Sequence, residues 1–211
     1  MMFENRYDAA MQLVPHLKKF TKEKGVVLAI PRGAVPMGYY IAKELNLPLD
    51  ILLTKKIGHP NNSELAVGSV SMEGRVIDPR FSMDESYIEQ ETIRIRKMLS
   101  ERYKKFMGNR SSVNLKDKTV IIVDDGIATG NTMLVSVDLV RHHVPKKVVV
   151  ATPVASTEAV RKLKQSADEV ICLYAPEDFM AVWQFYNDFS EVTDEEVIHF
   201  LNELNAESKA V

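Results

Sequence analysis

The chain is poor in the residues that build several common kinds of site. Among its 211 residues there is one cysteine, Cys172, so no disulfide can form within it. Cys172 lies in the apolar run 170–173, the setting of a small buried hydrophobe. Such sparing cysteine use fits a reducing compartment, and a cytoplasmic location is expected. The five histidines lack metal-ligand spacing, which argues against a structural zinc site. No apolar run is long enough to cross a bilayer, and residues 1–8 carry no signal-peptide pattern. Charge of neither sign dominates: 27 Lys and Arg face 29 Asp and Glu, a net of −2. That balance gives no sign of general nucleic-acid binding. There is no Gly-x-x-x-x-Gly-Lys-Ser/Thr, which argues against a P-loop NTPase. There is no Gly-x-Gly-x-x-Gly after a strand, which argues against a dinucleotide fold. Repeats, low-complexity tracts and a clear interdomain linker are absent as well.

With 45% hydrophobic residues the chain can fill one core, and residues 1–211 are expected to form a single domain. The first helix is expected over 5–24, with Ala9, Leu13, Leu17 and Phe20 on its apolar stripe and a kink at Pro15. Buried strands follow at 26–30 and 49–53, with a helix between them that carries Pro36 in its first turn. Residues 55–64 are expected to be a polar loop, and 65–77 a hairpin around Glu73-Gly74. Ser82-Met83-Asp84-Glu85 has the spacing of a capping box. It opens a long helix to about residue 107, striped by Ile88, Thr92, Ile95, Leu99, Tyr103 and Phe106. Strands at 119–123, 148–152 and 169–173 then alternate with helices at 133–143 and 156–165. This alternation predicts an α/β fold: a Rossmann-like parallel sheet flanked by helices. A last helix begins at a second capping box, Thr193-Asp194-Glu195-Glu196. Residues of about 174–205, which break the alternation, are expected to contribute a small hood.

The stretch with the most chemistry is 120–132. Val120 to Val123 is a buried parallel strand that delivers Asp124 and Asp125 to the carboxyl end of the sheet, where open α/β folds bind ligands. Ala128, Thr129, Gly130, Asn131 and Thr132 follow as a small loop opening a helix. Backbone amides, hydroxyls and a helix N-terminus there suit an anion. Ionised aspartates accept hydrogen bonds only, so sugar hydroxyls or a metal are their natural partners. A ligand with vicinal hydroxyls near a phosphate, such as ribose 5-phosphate, fits both halves. Receiver domains also carry a Val-Asp-Asp, but near their start and with a further Asp at a later strand end. Here Asp168 precedes its strand.

That pattern resembles the phosphoribosyl-diphosphate (PRPP) motif of the type I phosphoribosyltransferases. The resemblance assigns Asp124 and Asp125 to the ribose hydroxyls and residues 128–132 to the 5-phosphate. Pro31, Arg32, Gly33 and Ala34 repeat the same physics at an earlier strand end: a strand, a glycine turn, a helix start. The resemblance makes this the pyrophosphate loop; taken alone it reads first as a plain strand-to-helix turn with Arg32 exposed. Lys55-Lys56 is similar to the basic doublet before the family's mobile active-site loop. Lys56 would then meet pyrophosphate as a point charge, or else sit on a solvated loop. Residues 31–38, 47–70, 120–133 and 186–197 together resemble a bacterial subfamily whose acceptor is unassigned.

One position departs from the pattern. Hypoxanthine-guanine members carry an Asp where this chain has Ala128. Yet residues 176–180 are similar to the segment where those enzymes stack the base on a Phe. Phe179 is thus the first base-binding candidate and Trp183 the second. The alternative is that Phe179, Trp183, Phe185, Tyr186 and Phe189 form the core of the hood. The resemblance implies a Mg²⁺-dependent transferase, with the ion held mainly by substrate. It further implies PRPP and a small nitrogenous base as partners, a homodimer, and Asp124, Asp125, Lys56 and Arg32 as the catalytic set. Two alternatives stay open: a non-catalytic regulator that senses PRPP or a nucleotide, and a sugar-phosphate hydrolase or phosphorylase on the same cradle.

Overall fold

The computed structural model describes residues 2–207. Its elements run α1 (Arg6–Leu17), β1 (Gly25–Ala29), α2 (Ala34–Leu45), β2 (Leu49–Ile51), β3 (Thr54–His59), β4 (Asn62–Ser71), β5 (Arg75–Ile77), α3 (Glu85–Met107), β6 (Thr119–Val123), α4 (Asn131–Arg141), β7 (Lys147–Val154), α5 (Thr157–Ser166), β8 (Glu169–Tyr174) and α6 (Asp194–Glu207). Two 3-10 turns, Lys18–Phe20 and Val182–Phe185, complete the list. No helix among the described residues is long and apolar enough to cross a membrane.

Five strands form one sheet in the order β2-β1-β6-β7-β8, every pair parallel. The α/β expectation therefore holds. Alternation along each strand sorts the side chains between two layers. Val27, Ala29, Ile121, Val123, Val149 and Ala151 face the larger core, which α1, α2, α3 and α6 cover. Val26, Leu28, Val120, Ile122, Val148 and Val150 face the smaller one under α4 and α5. The strand order reverses direction between β1 and β6. Their carboxyl ends flank the crevice where doubly wound sheets take ligands.

Several local expectations are corrected. The polar stretch 55–64 is no loop: most of it lies in β3 and β4, an antiparallel pair that β5 extends into a three-stranded arm. Lys55 pairs with Val70 and Lys56 with Ser69, while buried Ile57, Val67 and Val70 anchor the arm to the core. A strand with one wet face and few apolar residues has too little alternation to show in the sequence. The first helix stops at Leu17, two residues beyond Pro15, and gives way to a 3-10 turn. The cap of α3 is Asp84, whose carboxylate accepts from the amides of Ser86 and Tyr87, so Ser82 plays no part. Helix α4 starts at Asn131, two residues before its expected place. The box at α6 is reciprocal: Thr193 N donates to Glu196 Oε2 at 2.7 Å, and Glu196 N to Thr193 Oγ1 at 3.2 Å. The whole α3 stripe is buried.

One polar residue inside this frame has no counterpart among the expectations. Asp50, on β2, is 3% exposed. Its carboxylate accepts from Ile51 N (2.7 Å), Val113 N (2.8 Å) and Tyr103 Oη (2.9 Å). It thereby ties the edge strand to α3 and to the segment before β6. Burial raises its pKa above the ordinary carboxylate value, against the pull of those donors. Asp50→Ala strands the buried Tyr103 hydroxyl and the partly buried Val113 amide. A stability loss of about 3 kcal/mol is expected from roughly 1–3 kcal/mol per unpaired group, measurable by urea denaturation.

Candidate functional site

Strand β6 ends at Val123, and the next two side chains stand at the sheet's carboxyl edge beside the loop that leaves β1. Ile30 N donates to Val123 O at 3.2 Å, so the loop after β1 starts in step with β6. The peptide between Pro31 and Arg32 is cis. A Cβ on Gly33 would lie 2.1 Å from Asp125 Oδ2. The bare backbone of Gly33 is thus what lets the carboxylate of one loop rest on the other. The predicted pyrophosphate loop and the acid pair are in direct contact.

The two aspartates differ in their surroundings. Asp125 Oδ2 accepts from Arg6 Nε at 2.9 Å, and both side chains are largely buried, 12% and 14% exposed. Arg6 Nη1 donates to Ser190 O at 2.7 Å, and its guanidinium lies 4.0 Å over the ring of Phe189. Tyr186 Oη donates to the carbonyl of Asp125 at 2.6 Å. Asp124 has no salt bridge among the described residues, and its Oδ1 accepts only the Asp125 amide, at 3.0 Å. Burial, and then the neighbouring charge of Asp125, push Asp124 well above the usual carboxylate range. Burial raises Asp125 too, while the charge and hydrogen bond of Arg6 oppose it. Arg6, Tyr186 and Phe189 are not identifiable from sequence as parts of the site. An arginine in the first turn of an amphipathic helix carries no local signal of a contact 119 residues away.

The loop beyond is built for an acceptor-rich guest. Gly130 adopts φ +78°, and a Cβ there would come 3.1 Å from Ala159 Cβ. Left-handed backbone and a close helix both require glycine. Ser156 Oγ donates to Ala128 O at 2.6 Å and Ser156 N to Ile127 O at 3.0 Å, fixing the loop from below. Among the described residues the amides of Ala128, Thr129, Gly130 and Thr132 meet no protein acceptor. All but buried Gly130 lie in exposed residues at the N-terminus of α4. Free amides at a helix start, with the positive end of its dipole, suit an anion.

The remaining candidates are less closely gathered. Arg32 is ion-paired with Glu191 and stands 3.6 Å from Asp194 Oδ1, which buries that otherwise unpartnered oxygen. Lys55 and Lys56 lie exposed on β3, which follows the carboxyl end of β2. Phe179 is half-buried and stacked on Phe185 at 5.4 Å, and Trp183 is 64% exposed. Between them Val182 packs on Gly126, where a Cβ would meet its Cγ1 at 2.3 Å. That contact brings the segment after β8 against the residue that follows the acid pair. Cys172 is half-buried, its Sγ donating to Tyr174 O at 3.2 Å, and burial raises its thiol.

Known proteins share this arrangement of sequence and fold. The family model for the phosphoribosyl transferase domain matches residues 8–190. Proteins from two strains of Mycobacterium tuberculosis, provisionally named phosphoribosyl transferases, are 36% identical over 206 residues. The match takes in 95% of this chain and 46% of theirs, so the chain spans about half the length of these relatives. A Thermus thermophilus protein of known crystal structure is 41% identical, over 97% of this chain and 99% of that one, with a TM-score of 0.87.

The tight seat of Asp125 on Gly33 can be probed directly. Gly33→Ala is expected to force the two loops apart and cost about 1–3 kcal/mol of stability, as overpacking does. Denaturant melts of the variant beside wild type check this.

Proposed function

Because the chain belongs to the phosphoribosyl transferase domain family, we propose that it moves ribose 5-phosphate from PRPP to a nitrogenous base and releases pyrophosphate. One observation carries this reading most. Two carboxylates and an open-amide helix start stand side by side at the switch point of the sheet. Vicinal hydroxyls donate to the first, and a 5-phosphate accepts from the second. The loop 31–34, in contact with Asp125, is then the seat of the pyrophosphate.

In the reaction a nitrogen lone pair attacks C1 of the ribose as the bond from C1 to the pyrophosphate oxygen breaks. The electron pair of that bond leaves with pyrophosphate. Positive charge develops on the sugar and negative charge on the leaving group. Asp124 and Asp125 orient the ribose. Arg32, Lys56 and the amides of the β1 loop offset the charge on the leaving group. Among the described residues no group of three or more His, Cys, Asp or Glu is placed to hold a metal ion. A Mg²⁺ bound here would take its oxygens mainly from the substrate and water and would supply charge neutralisation on the pyrophosphate. Phe179, with Val182 and Trp183 beside it, forms the wall for the base, and 174–205 make up the hood. No side chain in the loop 128–132 offers a general base.

Asp124→Asn combined with Asp125→Asn is expected to weaken PRPP binding roughly 100-fold or more, since each hydrogen bond to a charged group contributes about 1.5–3 kcal/mol. Calorimetric titration with PRPP and Mg²⁺ measures it, and an unchanged affinity would remove the assignment. Incubation of wild type with PRPP, Mg²⁺ and a panel of free bases should release pyrophosphate in a base-dependent way. PRPP binding without release for any base would instead favour a sensor.

A further inference from the structure

Each carboxylate of the acid pair has one oxygen committed and one to give. Asp124 Oδ1 is held by the Asp125 amide, and Asp125 Oδ2 by Arg6 Nε. Asp124 Oδ2 and Asp125 Oδ1 accept from no other residue among those described. Two free oxygens on adjacent residues match two vicinal hydroxyls. We infer that Arg6 is a positioning residue of the ribose site, fixing one oxygen and the charge of Asp125 so that the pair meets a diol as two acceptors. This rests on the transferase reading above.

The geometry makes Arg6 more than a surface partner. Its side chain is largely buried, clamped between Asp125, the Ser190 carbonyl and the Phe189 ring. A Cβ on Gly33 would come 3.4 Å from its Nη2, so it also borders the loop after β1. Adjacent buried carboxylates with no cation repel one another, and one of them takes up a proton. A protonated carboxyl offers a hydrogen where the diol needs an acceptor. Arg6 opposes this. Other titratable groups close by are Asp8 on α1, Arg32 on the loop after β1, and Tyr186 and Asp188 on the segment before α6. Burial holds the Tyr186 phenol protonated far above neutrality, and Arg32 is engaged by Glu191 and Asp194. That leaves Arg6 as the cation paired with Asp125.

Ligand binding needs both carboxylates ionised, so affinity for a diol rises with pH through the raised titration of the pair. Removing the Arg6 charge moves that rise to higher pH.

Carboxyl-carbon NMR titration of the ligand-free protein tests the charge directly, in wild type, Arg6→Gln and Arg6→Lys. Arg6→Gln is expected to shift the titration of the acid pair upward by about 1–3 pH units, the usual effect of a neighbouring cation. Arg6→Lys should stay near wild type. Calorimetry with PRPP and Mg²⁺ across the same pH range gives the ligand readout. Arg6→Gln should lose about tenfold or more in affinity near neutrality and regain it as pH rises by the size of its shift, while Arg6→Lys stays close to wild type. An unmoved titration in Arg6→Gln would overturn the inference. So would an affinity loss of equal size at every pH, or a Lys variant as weak as Gln across the range. Should Arg6→Gln fail to fold, Arg6→Lys decides: a wild-type titration and affinity support the inference, and loss of either overturns it. If wild type binds no PRPP at any pH, the transferase reading falls and the ribose-site role with it, while the NMR titration still decides whether Arg6 holds the charge of the acid pair.

Discussion

Asp125 rests on the bare backbone of Gly33, and most of the site is arranged around that contact. The carboxylate approaches a position no Cβ could share, so two loops from neighbouring strands are held at one distance. Its charge is met by Arg6 from α1, and its carbonyl by the hydroxyl of Tyr186 from the C-terminal segment. Four pieces distant in sequence therefore meet at one residue. Removing one partner of a buried ion pair typically costs about 3–5 kcal/mol, far more than a surface pair contributes. The N-terminal residues add to this through backbone pairing: Phe3 N donates to Phe185 O at 2.7 Å and Asn187 N to Phe3 O at 2.8 Å. The C-terminal segment is thus tied to the residues just before the helix whose Arg6 pairs with Asp125.

By contrast, the contacts on the outer parts of the crevice are weak enough to exchange. Arg32 is more than a third exposed, and its partner Glu191 is 77% exposed. Such a pair contributes about 0–1 kcal/mol. An anionic ligand with two or three oxygens can replace it at little cost, since the guanidinium keeps its charge partner. The arm of β3, β4 and β5 is held at its far end by Tyr87 Oη, which donates to Gly58 O at 2.6 Å. Lys55 and Lys56 ride on that arm. The strong contacts fix the end of the crevice proposed for the diol, and the exchangeable ones surround the end proposed for the leaving group.

The sheet and its central loop are readable from sequence because both are local. Val120 to Val123 is an unbroken apolar run, and the acid pair, glycine and threonines follow it within nine residues. Strand-helix alternation then sets the parallel order. What stays hidden depends on partners far along the chain. Asp50 is one letter in a strand until Tyr103 and Val113 close on it. The arm reads as a loop because Lys55, Lys56, Gly58 and His59 carry no apolar alternation, and only pairing with β4 satisfies their backbone. Arg6 looks like one more charge on a solvated helix. In the aromatic segment Phe179 and Phe185 stack on each other while Trp183 stands out in solvent, so the segment is not one packed core.

The arrangement also answers an electrostatic problem that the motif poses. A phosphate cradle that begins three residues after two carboxylates would repel its own ligand. The loop 128–132 contains no lysine or arginine to offset this. Its attraction for an anion comes from backbone amides and from the helix dipole, equivalent to roughly half a positive charge at the N-terminus of α4. Two full negative charges nearby would outweigh that. The structure reduces them in two ways. Arg6 compensates Asp125, and burial lifts Asp124 towards its neutral form while the crevice is empty. Both effects lower the negative charge that faces an arriving phosphate. On the proposed reading the acid pair serves a sugar beside a seat for a phosphate, and the cation that Arg6 brings from the N-terminal helix is what offsets the charge of Asp125.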